Sequence, residues 1–337
     1  KLDLTQAEAV VDLIDARASL SAEQALKRLG GELGAIYHEL SEGLTIVLAQ
    51  LQMAIDYPEH EDSILEADVL RQALDRLIQS CDELLEGYPQ GRALHDGFRI
   101  VLMGPPNAGK SSLLNYIVQQ DRAIVSDIPG TTRDTVEVSF SLDGIPIRWV
   151  DTAGLRTSED PIEKMGIERT LQAAKEADLI FYLVPADESL DDAKMDAIRQ
   201  EIVAYQKWAP LYILRSKSDL RASNDLAIGF EDIAPGTWIS VEDNTGLEQI
   251  FIWVKETFRA MGTPRQETAL LSSKREYDIL QSVRSRLEKI KMDVGVLPED
   301  LLTQGLMSVA EQVAELTGQD VSEQVLDELF SRFCVGK

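Results

Sequence analysis
FRIVLMGPPNAGKSSLLNYIV, residues 98–118, decides the fold. An apolar run of strand length, a glycine-bounded turn and a run with helical spacing follow one another. The turn, GPPNAGKS at 104–111, obeys Gly-x-x-x-x-Gly-Lys-Ser in a strand–loop–helix setting, the pattern of a phosphate-binding loop. The glycines let backbone N–H groups wrap phosphate oxygens, and the start of the next helix adds a favourable field. Asn107, Ala108, Gly109, Lys110, Ser111 and Ser112 form the expected nucleotide-binding set. Lys110 would reach the β- and γ-phosphates and Ser111 would ligate magnesium. The plain alternative is a glycine-rich turn with a chance Lys-Ser.

Outward from that stretch, short apolar runs alternate with helical segments between about 98 and 262. Expected strands are 98–103, 136–142, 145–150, 179–184, 211–215 and 237–240, with Asp143-Gly144 joining two of them as a hairpin turn. This predicts a mostly parallel sheet with one antiparallel edge strand, an α/β P-loop domain. On both sides the period is helical. Leu26, Leu29, Leu33, Ile36, Leu40, Leu44, Val47 and Leu51 share one face, and Leu70, Leu74, Leu77, Ile78 and Leu84 follow. Gly30, Gly31 and Gly34 interrupt the first run at ~1 kcal/mol each relative to Ala, so a break or tight crossing is expected there. After 265 come Tyr277, Leu280, Val283, Leu287 and Ile290, then Leu302, Leu306, Val309, Val313 and Leu316, with a last helix through Leu326, Leu329, Phe330 and Phe333. The expected organisation is 1–96 and 263–337 as two parts of one all-α domain and 97–262 as a domain inserted in it. Two separate helical domains are the alternative.

Downstream motifs keep the order of a nucleotide hydrolase. GTTRD (130–134) places Thr131 and Thr132 before the hairpin, where Thr132 is a candidate magnesium ligand. DTAG (151–154) puts Asp151, a water-mediated magnesium partner, and Gly154 beside the γ-phosphate. SKSD (216–219) stands where Asn-Lys-x-Asp is expected: Asp219 can accept from guanine N1 and N2, and the Lys217 stem can cover the base. Ser216 in place of Asn loses part of that loop's bracing. Ser240 and Val241 occupy the next base-contacting loop, Val241 where Ala is usual. Guanine is the expected base, with degenerate nucleotide binding as the alternative.

One catalyst is missing. GTPases that follow the common plan carry Gln after the Asp-x-x-Gly turn to orient the attacking water, and here Leu155 can neither donate nor accept. Asn107 and the carbonyls of 123–134 could cage a monovalent cation that neutralises developing charge; loop bracing is the plain alternative for Asn107. Glu159, Asp160 and Glu163 are candidates for positioning the water, and spacing does not rank them.

The net charge of −25, from 33 basic and 58 acidic residues, opposes non-specific binding to nucleic acid or anionic membranes. No apolar run approaches the ~18–20 residues that span a bilayer, so membrane insertion is not expected. Two Cys, at 81 and 334, give no disulfide framework or metal spacing, which fits a reducing, cytoplasmic setting. The first residues lack a signal peptide's apolar stretch, and a start at Lys1 suggests a truncated chain.

KLDLTQAEAVVDLIDA (1–16), GPPNAGKSSLLN (104–115), SDIPGTTRD (126–134), DTAGLRTSEDPIEKMGIER (151–169) and the terminal FCVGK together resemble the MnmE (TrmE) family of tRNA-modification GTPases over the whole chain. The family's N-terminal folate-binding domain is not represented. The resemblance implies a GTPase activated by potassium-dependent dimerisation of its G domains. It implies potassium ligands at Asn107, Ser126, Ile128 and Thr131, a catalytic glutamate at Glu163 and a switch arginine at Arg156. It further implies action with MnmG (GidA) on C5 of the wobble uridine (U34) of tRNA, installing an aminomethyl or carboxymethylaminomethyl group. Methylenetetrahydrofolate (held by the absent N-terminal domain), NADH and FAD on the partner serve that chemistry. Cys334 matches the family's C-terminal cysteine; a small packed residue is its plain reading. A GTP-switched ribosome-assembly factor and a nucleotide-holding scaffold are the rival functions.

Overall fold
The computed structural model describes residues 2–57, 66–119, 123–125, 136–151, 170–186, 192–220, 229–262 and 268–318. In chain order these form α1 (Leu4–Asp15), α2 (Ser19–Leu29), α3 (Glu32–Asp56), α4 (Ala67–Asp96), β1 (Phe98–Met103), α5 (Lys110–Val118), β2 (Ala123–Val125), β3 (Val136–Leu142) and β4 (Ile145–Asp151). They continue with β5 (Leu179–Pro185), α6 (Asp192–Tyr205), β6 (Leu211–Ser216), β7 (Gly236–Trp238), α7 (Glu248–Ala260), α8 (Lys274–Asp293) and α9 (Glu299–Thr317). The chain divides into two units. One holds Lys1–Ala16, Ala22–His95 and Gly262–Lys337; the other holds Arg17–Ser21 and Asp96–Met261.

In the α/β unit seven strands run in the order β2-β3-β4-β1-β5-β6-β7. β1 pairs in parallel with β4 and β5, and β5–β6 and β6–β7 are parallel, while β3 runs antiparallel to both β4 and β2. The antiparallel strand is therefore β3, and the short β2, which periodicity did not reveal, lies outside it. Asp143 (φ 48°) and Gly144 (φ 86°) turn the hairpin with two left-handed residues, the geometry that matches strand twist. β5 is buried throughout because both faces are covered. On one face Trp149, Phe181, Tyr212 and Trp253 stack in series, Tyr212 and Trp253 with centroids 4.3 Å apart. On the other, Val101, Ile180, Tyr182 and Ile213 pack with Ile202 and Phe230.

The helical unit joins the two ends of the sequence in one core. Leu33, Leu40, Leu44, Leu51, Leu74 and Leu77 share a cluster with Leu280, Val283, Leu287, Leu306, Val309 and Val313. The α/β unit is thus an insertion in an all-α unit. α2 ends at Leu29 and α3 starts at Glu32 after Gly31 (φ 87°), so the glycines break the apolar run as expected. The break resets the helical phase: Leu26 is 55% exposed, and α2 buries Ala25 and Arg28 instead. Gly34 permits a close approach, since a Cβ there would lie 2.7 Å from Asp3 Oδ2. Asp3 is the N-cap of α1. It accepts from the Gln6 backbone N–H at 2.7 Å, and Gln6 Oε1 accepts from Asp3 N–H in return, a reciprocal cap that satisfies two helix-end donors.

Arg28 is 3% exposed and is held by carboxylates from two helices. It donates to Asp12 Oδ2 at 2.5 Å, to Ser272 Oγ at 2.6 Å and to both oxygens of Glu276 at 3.3 and 3.4 Å. His95 Nε2 lies 3.1 Å from the other Asp12 oxygen. Glu276 is fully buried, and burial pushes its carboxyl above the usual range, opposed by the Arg28 charge. Among the described residues no helix is long and apolar enough to cross a membrane.

Candidate functional site: a phosphate loop and a base loop
The site starts where β1 ends. Gly104 has φ 128°, and a Cβ on it would lie 2.2 Å from Leu183 O, so only glycine lets the loop leave β1 against β5. Asn107 (φ 59°) and Gly109 (φ 90°) are left-handed as well, and the loop curls before α5 starts at Lys110. Ala108 is fully buried, Asn107, Ser111 and Ser112 are exposed, and Lys110 is only 5% exposed. Lys110 Nζ donates to Gly104 O at 3.0 Å and Pro105 O at 2.7 Å. A buried ammonium held by its own loop's carbonyls, next to a helix start with its orphan N–H groups, is the chemistry of an anion cradle. These residues fit the phosphates of a nucleotide.

At the far end of β6, Ser216 is 4% exposed and its hydroxyl donates to Ala108 O at 2.6 Å. Lys217 takes φ 58°, which swings the chain into a 3-10 turn at Ser218–Leu220. Asp219 is exposed, and its Oδ1 accepts from the fully buried Ser240 hydroxyl at 2.6 Å. Ser240 Oγ in turn accepts from Asp243 N–H at 3.1 Å. The loop carrying Ser240 and the half-buried Val241 is closed by two backbone bonds between Ser240 and Thr245, each 3.0 Å. Ser218 N–H donates to Ile239 O, joining the two base-side loops. β7 stops at Trp238, so the strand expected over 237–240 ends earlier, and Ser240 belongs to the loop. Arg215 stacks on Trp238 at 5.0 Å, and burial lowers its pKa.

The structure thus bonds Ser216 to Ala108 of the loop that carries Lys110, and Ser240 to Asp219. Asp151 ends β4, paired in register with Leu102 of β1 and Val136 of β3. Ser126, Ile128, Thr131, Thr132, Gly154, Leu155, Arg156, Glu159, Asp160, Glu163 and Cys334 lie outside the described residues. Spacing did not reveal that Ser216 ties the base strand to the phosphate loop. Only the parallel placement of β1 and β6 on either side of β5 exposes that contact.

The family described as the MnmE helical domain matches residues 4–334. The chain is 36% identical over 346 residues to the tRNA modification GTPase MnmE of Desulfitobacterium hafniense, covering 100% of this chain and 73% of that protein. It is 33% identical over 342 residues to the protein of the same name from Caldicellulosiruptor saccharolyticus and 33% over 341 residues to that of Acetivibrio thermocellus, with the same coverage. With a nucleotide cradle in the inserted unit and relatives alike across its full length, the chain belongs to the MnmE family of tRNA modification GTPases.

Proposed function
We propose that this chain hydrolyses GTP to GDP and phosphate in a potassium-stimulated reaction completed when two G domains pair face to face. In this reading 97–262 is the G domain, and 1–96 with 263–337 is the helical domain. The observation that carries the nucleotide part is the bond from the Ser216 hydroxyl to Ala108 O, which ties the loop carrying Lys110 to the strand end that leads to Asp219. Lys110 holds the β- and γ-phosphates, and Asp219, an acceptor-only group, takes the N1 and N2 hydrogens of guanine. Ser111 and Thr132 would hold magnesium, which would supply charge neutralisation at the phosphates. Asn107, with Ser126, Ile128 and Thr131, would hold potassium, whose charge would serve in place of an arginine finger. Glu163 positions the attacking water, supported by Arg156, because Leu155 cannot.

The wider role is tRNA modification at the wobble uridine together with MnmG, which carries FAD, in the cytoplasm. It rests on the relatives' shared name and on similarity over the whole of this chain and 73% of each of those proteins. Family membership favours this role over ribosome assembly. The test is GTP turnover in potassium against sodium, read alongside sedimentation with a transition-state mimic. Faster turnover and dimers in potassium are expected; equal rates in both salts, or monomers at full turnover, would refute the cation-dependent pairing.

A further inference from the structure
Ser216 stands where the Asn-Lys-x-Asp pattern would place Asn, and its surroundings define what it can do. The residue is 4% exposed, and its backbone oxygen accepts from Ala186 N–H at 2.8 Å. Its hydroxyl lies 2.6 Å from Ala108 O. A carbonyl only accepts, and a serine hydroxyl carries a single proton, so that proton is committed to the phosphate loop. A Cβ at Gly109 would stand 4.0 Å from Ser216 Cβ, so the serine also packs beside the residue that precedes Lys110. Guanine presents two acceptors on its N7 edge, N7 and O6. Asp219 can only accept, and its Oδ1 already takes the Ser240 proton, so it serves the base's N1 and N2 hydrogens alone.

We propose that Ser216 is a positioning residue that braces the phosphate loop at Ala108 from the base side and leaves guanine N7 unread from β6. Guanine selection then falls on Asp219. An asparagine in its place carries two amide hydrogens. One can keep the Ala108 bond while the other reaches toward the base. The assignment rests on the reading of this chain as a GTP-binding protein.

Equilibrium binding of GTP, ATP and 7-deaza-GTP, in which C–H replaces N7, to the full chain and its Ser216 variants tests this. The wild-type chain is expected to bind GTP and 7-deaza-GTP within about twofold of each other. Ser216→Asn should acquire a preference for GTP over 7-deaza-GTP of about fivefold or more. Ser216→Ala should weaken both guanine nucleotides by one common factor, about fivefold, with the GTP-to-ATP ratio unchanged; Ser216→Thr, which keeps the hydroxyl, should restore binding. A loss of tenfold or more on 7-deaza-GTP by the wild type would overturn the proposal. So would a Ser216→Thr chain no better than Ser216→Ala. Absence of GTP binding by the folded wild type is a different result, and it would overturn the nucleotide-site reading together with this assignment.

Discussion

At the scale of single residues, the hydrogen-bond inventory decides what each side chain can recognise. Asp219 has one oxygen engaged by the buried Ser240 hydroxyl, which orients the carboxylate. In the proposed site, Asp219→Asn would replace an acceptor with a donor facing the base's own donors. The expected outcome in a competition assay is a GTP-over-ATP preference reduced about tenfold or more, from the loss of charge-assisted bonds. Cys81 illustrates the opposite environment: it is fully buried, and burial pushes its thiol up to about 12. Reactivity follows the thiolate. In a Cys334→Ser background, Cys81 should therefore resist a thiol reagent at pH 8 while the helical unit is folded, and react once denaturant unfolds it. Rapid labelling of the native chain would contradict its placement. Motif spacing singled out Lys110, Asp219 and Ser240 as candidate site residues. The bond from Ser216 to Ala108 was not legible there, since it joins positions 108 residues apart.

Elements show which local rules survive folding. α4 continues through Pro89 and carries Gly87 and Gly91 on its buried side. A Cβ at Gly91 would sit 2.1 Å from Leu271 O, a backbone atom, whereas one at Gly87 would meet the flexible end of Leu270 at 3.1 Å. The two glycines therefore predict different outcomes. Gly91→Ala is expected to destabilise the helical unit by about 1–3 kcal/mol, because overpacking against backbone exceeds the ~1 kcal/mol gained in helix propensity. Gly87→Ala should fall near neutral. Denaturant midpoints of the two variants decide this; equal midpoints would mean that the Leu271 segment yields. Periodicity placed the strands to within a few residues, because every central strand is an apolar run bounded by turn residues. It failed at β2, which is three residues long and offers too short a pattern to read. It also failed at Leu26, which keeps the spacing of the α3 stripe but sits on the far side of the Gly30–Gly31 break.

For the whole molecule, the decisive feature is that sequence ends more than 200 residues apart share one core. At its polar heart Arg28 faces Asp12, Glu8 (3.8 Å), Ser272 and Glu276, with Arg275 paired to Glu8 and His95 to Asp12. Burial, opposed by Arg28, raises the Glu276 carboxyl in the folded state above its value of 4.5 in water. A raised carboxyl means that the folded state holds the proton more tightly. This group's contribution to stability is thus fully present below the unfolded value and is lost as pH rises through the folded one. Glu276→Gln, permanently neutral, removes that dependence. The denaturant midpoint of the variant relative to wild type should therefore climb as pH increases from about 4 upward. A constant difference across that range would show that the Arg28 charge fully offsets the burial.

By itself the sequence determined the class of most described segments, the strand–loop–helix of the phosphate loop, the order of the nucleotide motifs and the family, because these rest on local spacing and on residue types that chemistry restricts. Tertiary structure alone decided that the flanking helices form a single core, that an arginine is interior to it, and that the Ser216 hydroxyl bonds the phosphate loop at Ala108. Each of those outcomes depends on groups far apart in the chain meeting in space, where burial and hydrogen-bond pairing, rather than the period of the pattern, set the energy.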